Sequence, residues 1–125
     1  MAVKVVDASA LAALLFGEPA AEAVAGRLEG SYLVAPALLG FEIANVCLKK
    51  VRRAPTQRDL LLSAFAQYAR MPIEIVEVDH LATLPLAEAF GLTSYDAAYL
   101  WLARHFTAEL VTLDRSLEAA TGLRH

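Results

Sequence analysis

The chain is short of most features that would disclose a function quickly. One cysteine, Cys47, among 125 residues excludes an internal disulfide and fits a reducing interior, so Cys47 reads as a small apolar core residue. The three histidines, His80, His105 and His125, lack the spacing of a zinc site. Basic charge is scarce as well: 11 Lys and Arg stand against 14 Asp and Glu, a net −3. That balance excludes nucleic-acid binding by bulk charge and leaves only local contact. No apolar run approaches the roughly 18 residues of a membrane span. Residues 8–16 have the length of a signal-peptide apolar region, but Asp7 abuts them, Lys4 is the only preceding basic residue, and Glu18-Pro19 stands where a small-residue cleavage site would be. The expectation is a cytoplasmic protein that makes no use of a membrane.

Apolar residues, by contrast, make up 58% of the chain, with mean hydropathy +0.47. For a single domain over residues 1–125, that excess predicts a surface covered by another chain. Six glycines and five prolines form no linker or repeat; they punctuate regular elements. Val3 to Val6 predicts a strand broken only by Lys4, and Ala8 to Phe16 a helix ending near Gly17. A helix follows from Pro19 to Leu28, then a strand from Tyr32 to Ala35 ended by Pro36. Helices are predicted from Leu38 to Arg52 and Thr56 to Ala69, and an alternating strand from Ile73 to Val78. The remainder reads as helices from Leu81 to Phe90 (despite Pro85) and Ser94 to Phe106, a strand from Leu110 to Leu113, and a helix from Arg115 to Ala120. Strands separated by helices imply a three-layer α/β/α sandwich around a parallel sheet, because parallel neighbours need crossover connections.

In such a sheet the ligand crevice lies beyond the carboxyl ends of the strands. Asp7 closes the first strand and Asp114 the last; Asp96 opens one helix and Glu42 lies in the first turns of another. Each has an ordinary alternative. Asp7 and Asp114 could cap the helices that follow, Thr93-x-x-Asp96 matches a capping box, and Glu42 could be solvated. All four border apolar segments, however. Four carboxylates about 5 Å apart would repel by about 3 kcal/mol per pair at an effective dielectric near 20. Such a cluster requires protons or a cation, and Mg²⁺ or Mn²⁺ suits an all-oxygen site without His or Cys.

The segments "VVDASALAALL", "FEIANVCLK", "LTSYDAAYLWLA" and "LVTLDRSL", in that order, resemble the PIN-domain nucleases, and among them the VapC-type toxins of toxin–antitoxin pairs. The resemblance spans nearly the whole chain. It implies a PIN-like fold and a Mg²⁺- or Mn²⁺-dependent endoribonuclease whose catalytic acids match Asp7, Glu42, Asp96 and Asp114, with Asp7 and Asp96 as metal ligands. Products with 5′-phosphate and 3′-hydroxyl ends, a homodimer and a cognate antitoxin covering the acidic groove are implied in the same way. Asp79 also ends a strand and is assigned to capping because the family resemblance gives it no role.

Ser9 and Thr112 are placed to hydrogen-bond a ligand carboxylate or the scissile phosphate, although ordinary helix-start and strand roles serve equally. Asn45 lies one turn after Glu42 and could orient it, or face solvent. The run "KKVRR", with Lys49 and Arg52, is either a solvated face at a helix C-terminus or, with Arg58 and Arg115, a track for RNA phosphates. Two departures from the family pattern stand out. Phe106-Thr107 replaces a frequent glycine turn, and the ending Leu123-Arg124-His125 leaves a final edge strand short or missing. A receiver-type phosphoacceptor domain would need a further early acid where Val6 stands and a late strand-end lysine; a haloacid-dehalogenase-like phosphatase would need Asp-x-Asp where Ser9 stands. A PIN-like fold serving only as an RNA-binding or scaffold module is the remaining alternative.

Overall fold

The computed structural model describes residues 1–122. Four strands, β1 (Val3–Val6), β2 (Tyr32–Ala35), β3 (Ile73–Ile75) and β4 (Glu109–Val111), form one parallel sheet in the order β3-β2-β1-β4. The helices are α1 (Ala8–Phe16), α2 (Ala21–Leu28), α3 (Leu38–Arg53), α4 (Arg58–Ala66), α5 (His80–Phe90), α6 (Ser94–Phe106) and α7 (Arg115–Thr121). Helix α1 packs with α2, α3 and α4, while α6 packs with α5 and α7, so the helices form two groups about the sheet. This is the α/β sandwich expected from the alternation of strands and helices.

Burial accounts for the strand order. Val5 and Val6 of β1 are fully buried between two neighbours, as expected for the near-continuous apolar run of a central parallel strand. Lys4 is tolerated because it faces Glu109 across the β1–β4 ladder. Its ammonium lies 3.3 Å from Glu109 Oε2 and donates to the Arg27 carbonyl, while Arg27 pairs with Glu109 at 2.9 Å. The core continues through Leu11, Val34, Leu39, Ile43, Leu102, Val111 and Leu117, with Cys47 buried as expected.

The chain builds outward from β1 to β3, then α5 and α6 carry it back to lay β4 on the other side of β1. The order therefore reverses between β1 and β4, the kind of switch point at which open α/β sheets bind ligands.

Several element boundaries differ from expectation, each for a local reason. Pro19 lies in a turn, and α2 starts at Ala21. The helix expected over Thr56–Ala69 is α4 flanked by two 3₁₀ turns, Pro55–Gln57 and Gln67–Arg70. β3 stops at Ile75 rather than Val78 because its only partner, β2, ends before Pro36, which has no N–H to donate. β4 stops at Val111 rather than Leu113 because β1 has already ended; Leu113 and Asp114 give their N–H groups to side chains instead. Pro85 is accommodated in α5 because the carbonyl four residues back belongs to Leu81, which is 88% exposed and open to water. The ending Leu123-Arg124-His125 lies outside the described residues.

Thr107 ends α6 in the left-handed region, φ 49° and ψ 48°, with its N–H on the Ala103 and Arg104 carbonyls. A threonine thus does what a glycine does more cheaply, at about 1 kcal/mol of strain. Because Thr107 is exposed and would lose little packing, Thr107→Gly should raise stability by about 0.5–1 kcal/mol, or Tm by about 2–4 °C. An unchanged or lower Tm in a thermal melt would show that the turn is unstrained.

Candidate metal and catalytic site

Asp7 is the most enclosed acid of the four, only 4% exposed. Its backbone leaves β1 extended and caps α1, so Oδ1 accepts the Ala10 N–H at 3.0 Å. Two hydroxyls complete its surroundings: Ser9 Oγ donates to Oδ1 at 2.8 Å and Thr112 Oγ1 donates to Oδ2 at 2.5 Å. The same hydroxyl oxygens accept N–H groups from the loop after β4, Leu113 on Ser9 at 2.9 Å and Asp114 on Thr112 at 3.0 Å. Ser9 and Thr112 therefore bind the start of α1 to the β4–α7 loop with Asp7 between them. A carboxylate has about four lone-pair positions; three are taken, and the free one is on Oδ2.

The other acids arrive from separate elements. Asp96 lies in the first turn of α6, where its N–H donates to the Thr93 hydroxyl at 3.1 Å. Its carboxylate meets the Thr93 side chain and is repelled by Asp114 and Asp7. Asp114 caps α7 through Oδ1 to the Leu117 N–H at 3.0 Å and is exposed. Glu42, half-buried on α3, accepts the Tyr99 hydroxyl at Oε1 over 2.6 Å.

All four acids lie within electrostatic reach of one another's neighbourhood, in a definite pattern. Asp7 and Asp96 repel each other; Asp7 also repels Asp114 and Glu42, and so does Asp96. Asp7 and Asp96 are thus each repelled by the other three acids. Burial is the main cause that raises the Asp7 carboxyl above its ordinary value, opposed by Thr112, Ala10 and Ser9 and reinforced by Asp114. Glu42 is raised by burial against the Tyr99 hydrogen bond, and Asp96 by burial and then by Asp114 and Asp7. The same extended backbone that caps α1 and α7 places Asp7 and Asp114 beyond the carboxyl ends of β1 and β4.

The remaining candidates divide. Ser9 and Thr112 touch Asp7 directly. Asn45 is exposed one turn along α3, and the group that grips Glu42 is Tyr99. Tyr99 was missed because it reads as core, yet a buried tyrosine one turn after Asp96 must place its hydroxyl somewhere, and that was the available signal. Lys49 and Arg52 are exposed, ~10 Å and ~15 Å beyond Glu42 along the α3 axis at 1.5 Å per residue. Arg58 lies 3.7 Å from Asp59 at the start of α4. Arg115 is exposed beside Asp114 at the mouth of the site. Asp79 caps α5 through the Leu81 and Ala82 N–H groups, as expected.

Among the described residues no three His, Cys, Asp or Glu side chains close into a compact ligand group. The donor set nevertheless fits Mg²⁺ or Mn²⁺. Its carboxylates are all oxygen donors, their mutual repulsion favours a cation, and Mg²⁺ commonly keeps several waters while taking only one or two carboxylates directly. The open Oδ2 position of Asp7 and the carboxylate of Asp96 are the candidates to meet that requirement.

Raised carboxyl values make stability depend on pH. Each folded value lies above the unfolded one, so the protonated form is favoured by folding; the contribution is complete below the unfolded values near 3.8 for Asp and 4.5 for Glu, and lost as pH rises through the folded values. In EDTA, Tm should therefore fall as pH is raised from about 4.5 toward 7 relative to Asp7→Asn, and Mg²⁺ at neutral pH should restore it. Parallel Tm–pH curves for the two proteins would contradict this.

Comparison with known proteins identifies the family. The PIN domain family model matches residues 4–123. Ribonuclease VapC3 of Pyrobaculum aerophilum is 32% identical over 118 residues, covering 90% of each chain. The crystal structure of PAE2754, also from Pyrobaculum aerophilum, superposes with a TM-score of 0.76 at 29% identity, over 97% of this chain and 88% of that one. By sequence and by fold, the chain belongs to the PIN-domain family.

Proposed function

We propose that this chain is a Mg²⁺- or Mn²⁺-dependent endoribonuclease of the VapC type, the toxin of a toxin–antitoxin pair. The observation that carries the reading is that Asp7, Glu42, Asp96 and Asp114, from four separate elements, lie close enough to act on one another electrostatically. The relationship to a protein named as a ribonuclease supports it. Asp7 and Asp96, central in the mutual repulsion, are the residues that would hold the ion. A bound divalent ion lowers the pKa of a coordinated water and offsets charge developing on the phosphodiester. Ser9 and Thr112 hold the Asp7 carboxylate in one orientation, leaving its free Oδ2 position to face the crevice. Glu42, anchored at one oxygen, offers the other as an acceptor for the attacking water's proton. Asp114 completes the acidic set, and Arg115 beside it offers a cation to an incoming phosphate. Breaking the P–O3′ bond leaves 5′-phosphate and 3′-hydroxyl ends.

The surface supports protein partners as well as RNA. A groove of about 650 Å³ lies between the starts of α3 and α6, the segment after β3, and α5. Its rim carries Leu84 and Tyr95 at 68% and 64% exposure, and Leu81 nearby is 88% exposed. An apolar face of this kind suits a second copy of the chain, and an antitoxin would cover the acids. No helix among the described residues is long and apolar enough to cross a membrane; α1 and α2 qualify in composition only as a pair bent by 116°. Together with the free Cys47, this supports a cytoplasmic site of action.

Purified protein should cleave single-stranded RNA with Mg²⁺ or Mn²⁺, lose that activity in EDTA, and be slowed at least about 100-fold by Asp7→Asn, since even outer-shell changes at metal sites cost 10–100-fold. Equal cleavage by wild type and Asp7→Asn would reduce the reading to contamination. If Lys49 and Arg52 track phosphates, replacing both with Ala should flatten the salt dependence of RNA binding by about 0.7 per lost phosphate contact while leaving kcat unchanged. An unaltered slope would leave them as a solvated helix end.

A further inference from the structure

Tyr99 is among the largest fully buried side chains, 1% exposed, yet its hydroxyl reaches Glu42 Oε1 at 2.6 Å. It lies three residues after Asp96 on α6, so one helix face delivers both an acid and the group that holds another acid. Glu42 comes from α3, and among the described residues no other side chain hydrogen-bonds its carboxylate. Glutamate has three rotatable side-chain bonds; without an anchor, two neighbouring negative carboxylates would push its head group toward solvent. The hydroxyl faces the opposite way energetically: burial and the nearby Glu42 carboxylate drive its pKa far above the ordinary phenol value, so Tyr99 stays a fixed proton donor at any working pH.

We infer that Tyr99 is a positioning residue: its hydroxyl fixes Oε1 of Glu42 and thereby aims Oε2 into the acidic crevice. The inference rests on the ribonuclease reading and assigns a role to a residue that never meets RNA or metal. Every proton stays in place, and the bond orients without reacting.

Tyr99→Phe removes only the hydroxyl and keeps the ring, and a thermal melt verifies that the variant is folded. A hydrogen bond to a charged group contributes enough to orientation that kcat for RNA cleavage in Mg²⁺ should fall about tenfold, with KM within about twofold of wild type. In a Glu42→Ala background the same change should alter kcat less than about twofold, because the anchored group is gone. Glu42→Asp, which shortens the acid away from the hydroxyl, tests the bond from the other side and should also lower kcat with KM retained. A crystal structure of Tyr99→Phe should show the Glu42 carboxylate displaced or in more than one rotamer. Wild-type kcat in Tyr99→Phe, an undiminished effect in the Glu42→Ala background, or an unmoved Glu42 carboxylate would each overturn the inference. Cleavage unaffected by Asp7→Asn would instead remove the ribonuclease reading, and the position of Glu42 in the Tyr99→Phe crystal would still decide the role of Tyr99.

Discussion

The arrangement depends on a buried carboxylate that is not allowed to move. Asp7 sits at the end of the central strand with hydroxyls from α1 and from the loop after β4 on its two oxygens. A carboxylate enclosed in this way is costly unless its lone pairs are satisfied, and here three partners satisfy it. The same two hydroxyls receive N–H groups from the β4–α7 loop. The contacts that make Asp7 tolerable thus also fix where Asp114 emerges, and folding and site assembly share one set of bonds.

Around that point the acids are unequal. Asp7 and Asp96 are each repelled by the other three. A divalent ion of the proposed kind would relieve the most repulsion at those two acids. Burial and neighbouring acids raise the carboxyl values of Asp7, Glu42 and Asp96, a pattern common at functional sites. Tyr99 and Thr93 lower the charge cost on Glu42 and Asp96 respectively, from within the same stretch of α6 and its cap.

Helix caps and catalytic acids are often treated as competing explanations for an aspartate at a strand end. At Asp7 and Asp114 the cap is formed, and the proposed catalytic role needs no other backbone position. The cap sets an extended backbone before each helix, and in a parallel sheet that position is the carboxyl edge, where ligands bind. Asp79 shows what a cap is without convergence: the same local geometry before α5, on exposed chain beyond the edge strand.

The linear order of residues by itself determined the alternation of strands and helices, the parallel sheet, and which acids fall at the carboxyl edge. These follow from short-range causes: apolar periodicity, Pro36 and Gly17 as stops, and caps such as Asp7 and Thr93. Strand ends at Ile75 and Val111 were decided by where the neighbouring strand runs out, which local pattern does not encode. The left-handed turn at Thr107 and the 3₁₀ ends of α4 are likewise not encoded by local apolar pattern. Only the tertiary structure decided that Tyr99 rather than Asn45 meets Glu42, since a contact between α6 and α3 depends on how the two helices are laid against each other. It also set the basic run of α3 turns away from the acids, because a helix is a rigid ruler and its far end cannot fold back.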